Sequence, residues 1–153
     1  MYMNSVKKQI IVGHFAPLLT GCLLYIFFRH DTLKMFTWFD SVNLSGTLSE
    51  IRLATLPLSE HFPSWVLYSL PDGLWLFSFL TILLAFWNNT ISNQNIFWLL
   101  CAPLLAIVSE FGQLFCLVPG TFDFVDVIFY LGGTFLPLVI YARLTGLKER
   151  NDK

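Results

Sequence analysis

IFWLLCAPLLAIVSEFGQLF fills positions 96–115, and its first polar side chain comes only at Ser109. Glu110 follows at once, and Gln113 three residues later. The apolar run before them suits the hydrocarbon core of a bilayer, which a helix of about 20 residues crosses. A carboxylate in such a helix needs an explanation. A charge deep in the membrane costs about 2.5–3.5 kcal/mol on insertion scales. Near a helix C-terminus the dipole opposes it further. Two readings of Glu110 stand at this point: a functional carboxylate, or a neutral acid held by a hydrogen bond. Gln113 shares its face, because residues three apart are neighbours on a helix.

The rest of the chain points to the same solvent. Of 153 residues, 56% are apolar and only 12% charged, against about a quarter charged in a soluble domain. Mean hydropathy is +0.65. The length suits one domain, 1–153. A net charge of −1 without a basic cluster gives no reason to expect nucleic acid as a partner. Cys22, Cys101 and Cys116 are odd in number and far apart, which is neither a disulfide framework nor a zinc site. They read as small hydrophobes.

Four segments are long and apolar enough to cross: roughly Gln9–Phe28, Leu70–Trp87, Ile96–Cys116 and Asp123–Ala142. In lipid each must be a helix, since an isolated strand leaves its backbone unsatisfied. The first is too long, and lacks the cleavage site, for a signal peptide. The expected fold is all-α, a polytopic bundle of four transmembrane helices. Pro17, Pro103 and Pro137 interrupt three of them, which neighbouring helices in a membrane tolerate. Gly13, Pro17 and Gly21, with Gly132 and Gly133, allow helices to approach closely. Lys7 and Lys8 precede the first helix, and Arg143, Lys148, Arg150 and Lys153 follow the fourth. The positive-inside rule then places both termini in the cytoplasm of a multi-pass cell-membrane protein. Arg29 and Lys34 flank the first helix on the opposite side, against that rule. The loop of about residues 29–69 carries LKMFTWF (33–39) and FPSWVLY (62–68), aromatic but too short to span. They suit an interfacial cap on the outer face. The tail KERNDK reads as a solvated end.

With this topology the second and fourth helices start, and the third ends, at one depth near the outer leaflet. They bring Asp72, Glu110, Gln113, Asp123 and Asp126 together, with Tyr130 one turn beyond Asp126 and no basic residue from those three helices. Plainer roles exist. Ser69-Leu-Pro-Asp72 has the pattern of a capping box, and Asp123 that of a helix N-cap. His14 suits a packing histidine. His30, His61 and Arg52 of the outer loop are the nearest bases to pair with the acids.

SEFGQLF followed by GTFDFVDVIFYLGG resembles the VanZ-like family of small bacterial membrane proteins. That family shows an acid and a glutamine ending one helix, a loop, then paired acids and a glycine opening the next. The likeness covers residues 70–140. Gly120 stands where relatives often have arginine, and Tyr130 where they often have asparagine. The resemblance implies a four-helix protein of the bacterial inner membrane, in a family with one member linked to low-level teicoplanin resistance, and it carries no mechanism.

Three functions are weighed. The first is a binding protein, whose acids accept a cationic or hydroxyl-rich lipid or glycolipid headgroup. No cofactor is required, although a divalent cation such as Mg²⁺ or Ca²⁺ suits carboxylate ligands. The second is an intramembrane enzyme using carboxylate acid–base chemistry on an envelope lipid. HExxH and GxSxG motifs are both absent. The third is a structural subunit, homo-oligomeric or paired with another membrane protein.

Overall fold

The computed structural model describes residues 6–144. The chain there is mostly helical. Helix α1 spans Val6–Phe28. Helices α2 (Lys34–Ser41), α3 (Ser45–Thr55) and α4 (Ser64–Tyr68) follow, with a tight turn at Leu56–His61 between the last two. Then come α5 (Leu70–Phe86), α6 (Ile96–Leu114) and α7 (Phe124–Tyr141). Two-residue segments β1 (Thr90–Ile91) and β2 (Arg143–Leu144) pair in parallel. The expected tail KERNDK, with Lys148, Arg150 and Lys153, lies outside the described residues.

Three of these helices, α1, α6 and α7, are long and apolar enough to cross a membrane. The second expected span, Leu70–Trp87, is a helix of 17 residues. It is shorter because Trp87 ends the helical turns and Asn88 and Asn89 both adopt positive φ. Asparagine tolerates this left-handed conformation better than most residues. The Asn89 N–H then caps the Leu84 carbonyl.

Helix α5 is the centre of the bundle, packing chiefly on α7 and on α1. Leu80 and Leu84 are wholly enclosed and join Leu99 of α6 in the core. Glycines set the approach. A Cβ on Gly133 would lie 2.3 Å from the Gly73 carbonyl oxygen, and one on Gly21 2.7 Å from Trp75 Nε1. Gly13 meets Thr81 and Tyr141 in the same way. Gly132 faces open space, so only one of the expected glycine pair makes a contact. Upstream of Pro17, residues 9–15 form a wider turn, and the Ala16 N–H reaches back to Ile11. Pro17 has no N–H of its own to continue the ladder.

The polarity is inverted relative to a soluble protein. Among the fully buried side chains are Glu110, Asn95, Thr81 and Ser78, while Val139 is 81% exposed and Leu105 65%. Large apolar side chains also face outward along α1, at Ile11, Val12 and Leu19. Such surfaces need a solvent other than water.

Candidate functional site

Glu110 is 2% exposed. Its Oε1 accepts a hydrogen bond of 2.7 Å from the backbone N–H of Asp123. The charge problem posed by the sequence is thus met across the helix–helix connection: α6 supplies the carboxyl, and the start of α7 supplies the donor. The connection is built for this return. The Leu117 and Val118 N–H groups both reach the Gly112 carbonyl, with Cys116 at positive φ. Gly120 has φ +140°, and a Cβ there would fall 2.6 Å from the Gln113 side chain. Glycine at 120 therefore has a backbone reason. Gln113 packs against that glycine.

Asp123 caps α7, its Oδ1 accepting from the Val125 N–H at 2.8 Å. This matches its plainer expected role. Asp72 stands in the first turn of α5, as its plainer reading expects, but without the capping box. Ser69 makes no side-chain cap, because α4 runs almost directly into α5 and backbone bonds already span the junction, Ser69 N–H to Trp65 and Gly73 N–H to Ser69. With no capping to do, Asp72 faces Arg29, whose Nη2 is 3.8 Å from its Oδ2.

The base that meets the acids is Arg29, from outside α5, α6 and α7. It follows the last turn of α1, donates from Nη2 to the Tyr68 carbonyl at 2.8 Å, and stacks over the Tyr25 and Tyr68 rings. Two of the bases expected to pair with the acids, Arg52 and His30, do other things. Arg52 donates to the carbonyls of Ile26 and Arg29 at the end of α1, where orphan carbonyls favour a cation. His30 bonds Thr32 and approaches Asp31. The sequence signal for Arg29 was its violation of the positive-inside pattern.

Asp126 and Glu110 act electrostatically on Asp72 alongside Arg29. Tyr130 lies within electrostatic range of Asp72, Asp126, Glu110 and Arg29. The structure thus gathers Asp72, Glu110, Asp126, Tyr130 and Arg29, with Asp123 tied in through its backbone. Two atoms in this group are buried and bonded to nothing among the described residues: Asp126 Oδ1 and Arg29 Nε. A cavity of about 320 Å³ opens beside Arg29, lined also by Phe28, His30, Arg52 and Tyr68. Among the described residues no three His, Cys, Asp or Glu side chains are arranged to hold a metal ion.

Midway along α5, His14 Nδ1 lies 2.7 Å from Ser78 Oγ, the packing role expected of it. Gln9 and Asn89 exchange reciprocal amide hydrogen bonds of 2.7 and 2.9 Å.

Together the outward apolar helices and the enclosed polar cluster define a helical protein suited to a membrane. No family model matches the chain, and neither a curated protein nor a solved structure gives a match.

Proposed function

We propose that this chain is a four-span protein of the bacterial cell envelope that binds a lipid or glycolipid headgroup in the outer leaflet. Helix α5 is the fourth span: its 17 residues rise about 25 Å, close to a bilayer core of about 30 Å. It also holds more buried residues than any other helix. Lys7, Lys8 and Arg143 mark the cytoplasmic end. Arg29 sits at the other end, but its charge faces Asp72 inside the fold, so it no longer argues against that orientation. Helices α2 to α4 form the outer cap, with Trp38 and Trp65 exposed as interfacial residues are. The spacing of Glu110, Gln113, Asp123 and Asp126 supports a VanZ-like relationship, in which Arg29 takes the place of the arginine that Gly120 displaces. A link to teicoplanin tolerance follows only through that relationship.

One observation carries the binding reading: a buried acceptor, Asp126 Oδ1, and a buried donor, Arg29 Nε, both lack partners. Buried polar groups are nearly always bonded, and an exception calls for a missing partner. A headgroup bearing hydroxyl or primary amine donors meets Asp126, and its phosphate or hydroxyl oxygens meet Arg29.

The test uses the purified full chain in detergent with three short-chain probes: a phosphatidylethanolamine, a glycosyl diacylglycerol and a phosphatidylcholine, whose quaternary ammonium donates no hydrogen bond. The expected result is binding of at least one of the first two over the third, weakened about tenfold by Asp126→Asn, as suits loss of a hydrogen bond to a charged group. Equal binding of all three probes, or an unchanged affinity in the variant, overturns the proposal.

A further inference from the structure

A second feature lies apart from the charged cluster. A groove of about 700 Å³ runs between the outer half of α1, helix α2 and Trp75 of α5. That volume falls within the roughly 300–1,000 Å³ of small-molecule sites. Cys22, Tyr25 and Ile26 form one wall, and Leu33, Met35, Trp38 and Val42 lie along the other. Lys34 is the only formally charged side chain lining it.

Two properties of Lys34 select the occupant. It is exposed, and its ammonium makes no ion pair among the described residues. It is also the first residue of α2, where the helix dipole disfavours a cation and favours an anion. The lysine and the helix end therefore ask for the same thing, a negative charge at the mouth. Behind the mouth the walls are apolar and aromatic. Trp38 stands 70% exposed and Val42 62% exposed at the rim, apolar surface with no cover from the described residues.

We propose that this groove holds one acyl chain of an anionic glycerophospholipid, with its phosphate on Lys34. The chain runs from the start of α2 down past Tyr25 and Trp75 to Cys22. This rests on the membrane location of α1 but is independent of headgroup binding at Asp126 and Arg29.

The experiment places the full chain in phosphatidylcholine nanodiscs doped with phosphatidylglycerol carrying a mid-chain diazirine, then photolyses and maps the labelled peptides. Labelling is expected at residues 22–26 and 33–42 and at Trp75. Unlabelled phosphatidylglycerol should compete about fivefold better than phosphatidylcholine, the effect of one basic residue near an anionic lipid surface. Lys34→Gln, a change at an exposed side chain, should abolish that preference while leaving the labelled positions the same. Asp126→Asn should change neither, which separates this site from the charged cluster. Labelling spread evenly onto the outward faces of α6 and α7, at Leu105 and Val139 for example, overturns the proposal. So does equal competition by the two lipids.

Discussion

The two ends of helix α5 carry polar groups of opposite character. At the Asn89 end they are neutral and mostly matched, with Thr81 Oγ1 the buried atom left without a partner among the described residues. Gln9 and Asn89 satisfy each other, and Asn95 accepts from the Ser92 N–H and donates to the Thr90 carbonyl. The backbone of Asn89 is used as well, its carbonyl accepting from the Arg143 N–H. At the Asp72 end the groups are charged and incompletely matched. Arg29 and Asp72 stand 3.8 Å apart, longer than a hydrogen bond, and the Asp126 and Arg29 atoms noted above have no partner. The ends differ in burial, since Gln9, Asn89 and Asn95 are enclosed whereas Arg29, Asp72 and Asp126 are only half-buried around the enclosed Glu110. They also differ in completeness. A closed amide network specifies how helices dock, whereas the unpartnered atoms of the other end are what the proposed headgroup would complete.

Asn89→Ala strikes the closed end hardest. It removes both side-chain hydrogen bonds to Gln9 of α1, worth about 0.6 and at most about 1.7 kcal/mol each by analogy with interhelical bonds in membrane proteins. It also puts a Cβ-bearing residue with no polar side chain at φ 62°, a further penalty of about 1–2 kcal/mol. Equilibrium unfolding in mixed micelles should show a loss of about 3 kcal/mol, with probe affinity per folded molecule unchanged. A fall in affinity would mean that the two ends are coupled. At the open end, Arg29→Gln forfeits the charged bond to Tyr68 and both aromatic contacts, about 2 kcal/mol, and should also weaken the binding probes. If stability falls and binding does not, Arg29 is a brace and not part of the site.

Glu110 sharpens the contrast, because it belongs to the charged end yet behaves like the matched one. Glu110→Leu leaves the Asp123 N–H without its acceptor and should cost about 1.5 kcal/mol. Glu110→Gln keeps a carbonyl oxygen in the same place and should recover most of that loss. Thermal unfolding of both variants measures the difference. If the Gln variant is as unstable as the Leu variant, the negative charge itself is required at this position.

The helices and their solvent were legible in the sequence because apolar length is a local property. Residues 96–115 announce a spanning helix without help from any other segment. The order of the helices leads to the expectation that Asp72, Glu110 and Asp126 share one end of the bundle; there the structure sets Asp72 opposite Arg29 and ties Glu110 to the start of α7. The partners were not legible. Arg29 reaches Asp72 across 43 positions, and its packing against Tyr68 depends on how the 29–69 segment folds. That segment contains α3, Ser45–Thr55, whose few apolar residues give a pattern too weak to announce a buried face. The capping role suggested for Asp72 failed for a related reason. Ser69 looks like a helix start only when α4 and α5 are considered separately, and the chain turns almost continuously from one into the other.

The smallest expected change in stability bears most directly on function. Asp126 stands one turn into α7 with one carboxylate oxygen buried and unpartnered. In a residue that serves only the fold, converting the acid to its neutral amide should cost about as much as other buried polar losses, about 1–3 kcal/mol. In a residue retained for a ligand, removing an uncompensated charge relieves the empty protein. Asp126→Asn should then leave stability within about 1 kcal/mol of the parent or raise it, because an incompletely paired buried charge contributes little to folding. The same variant should lose binding. Unfolding measured with and without the short-chain phosphatidylethanolamine or glycosyl diacylglycerol probe separates the two cases. The parent should gain stability as the probe is added, since a ligand that binds only the folded state stabilises it by mass action, and the variant should gain less at every concentration. A variant that is destabilised without probe and responds to it like the parent would make Asp126 part of the scaffold. The open end of α5 would then be only a less complete version of the closed one.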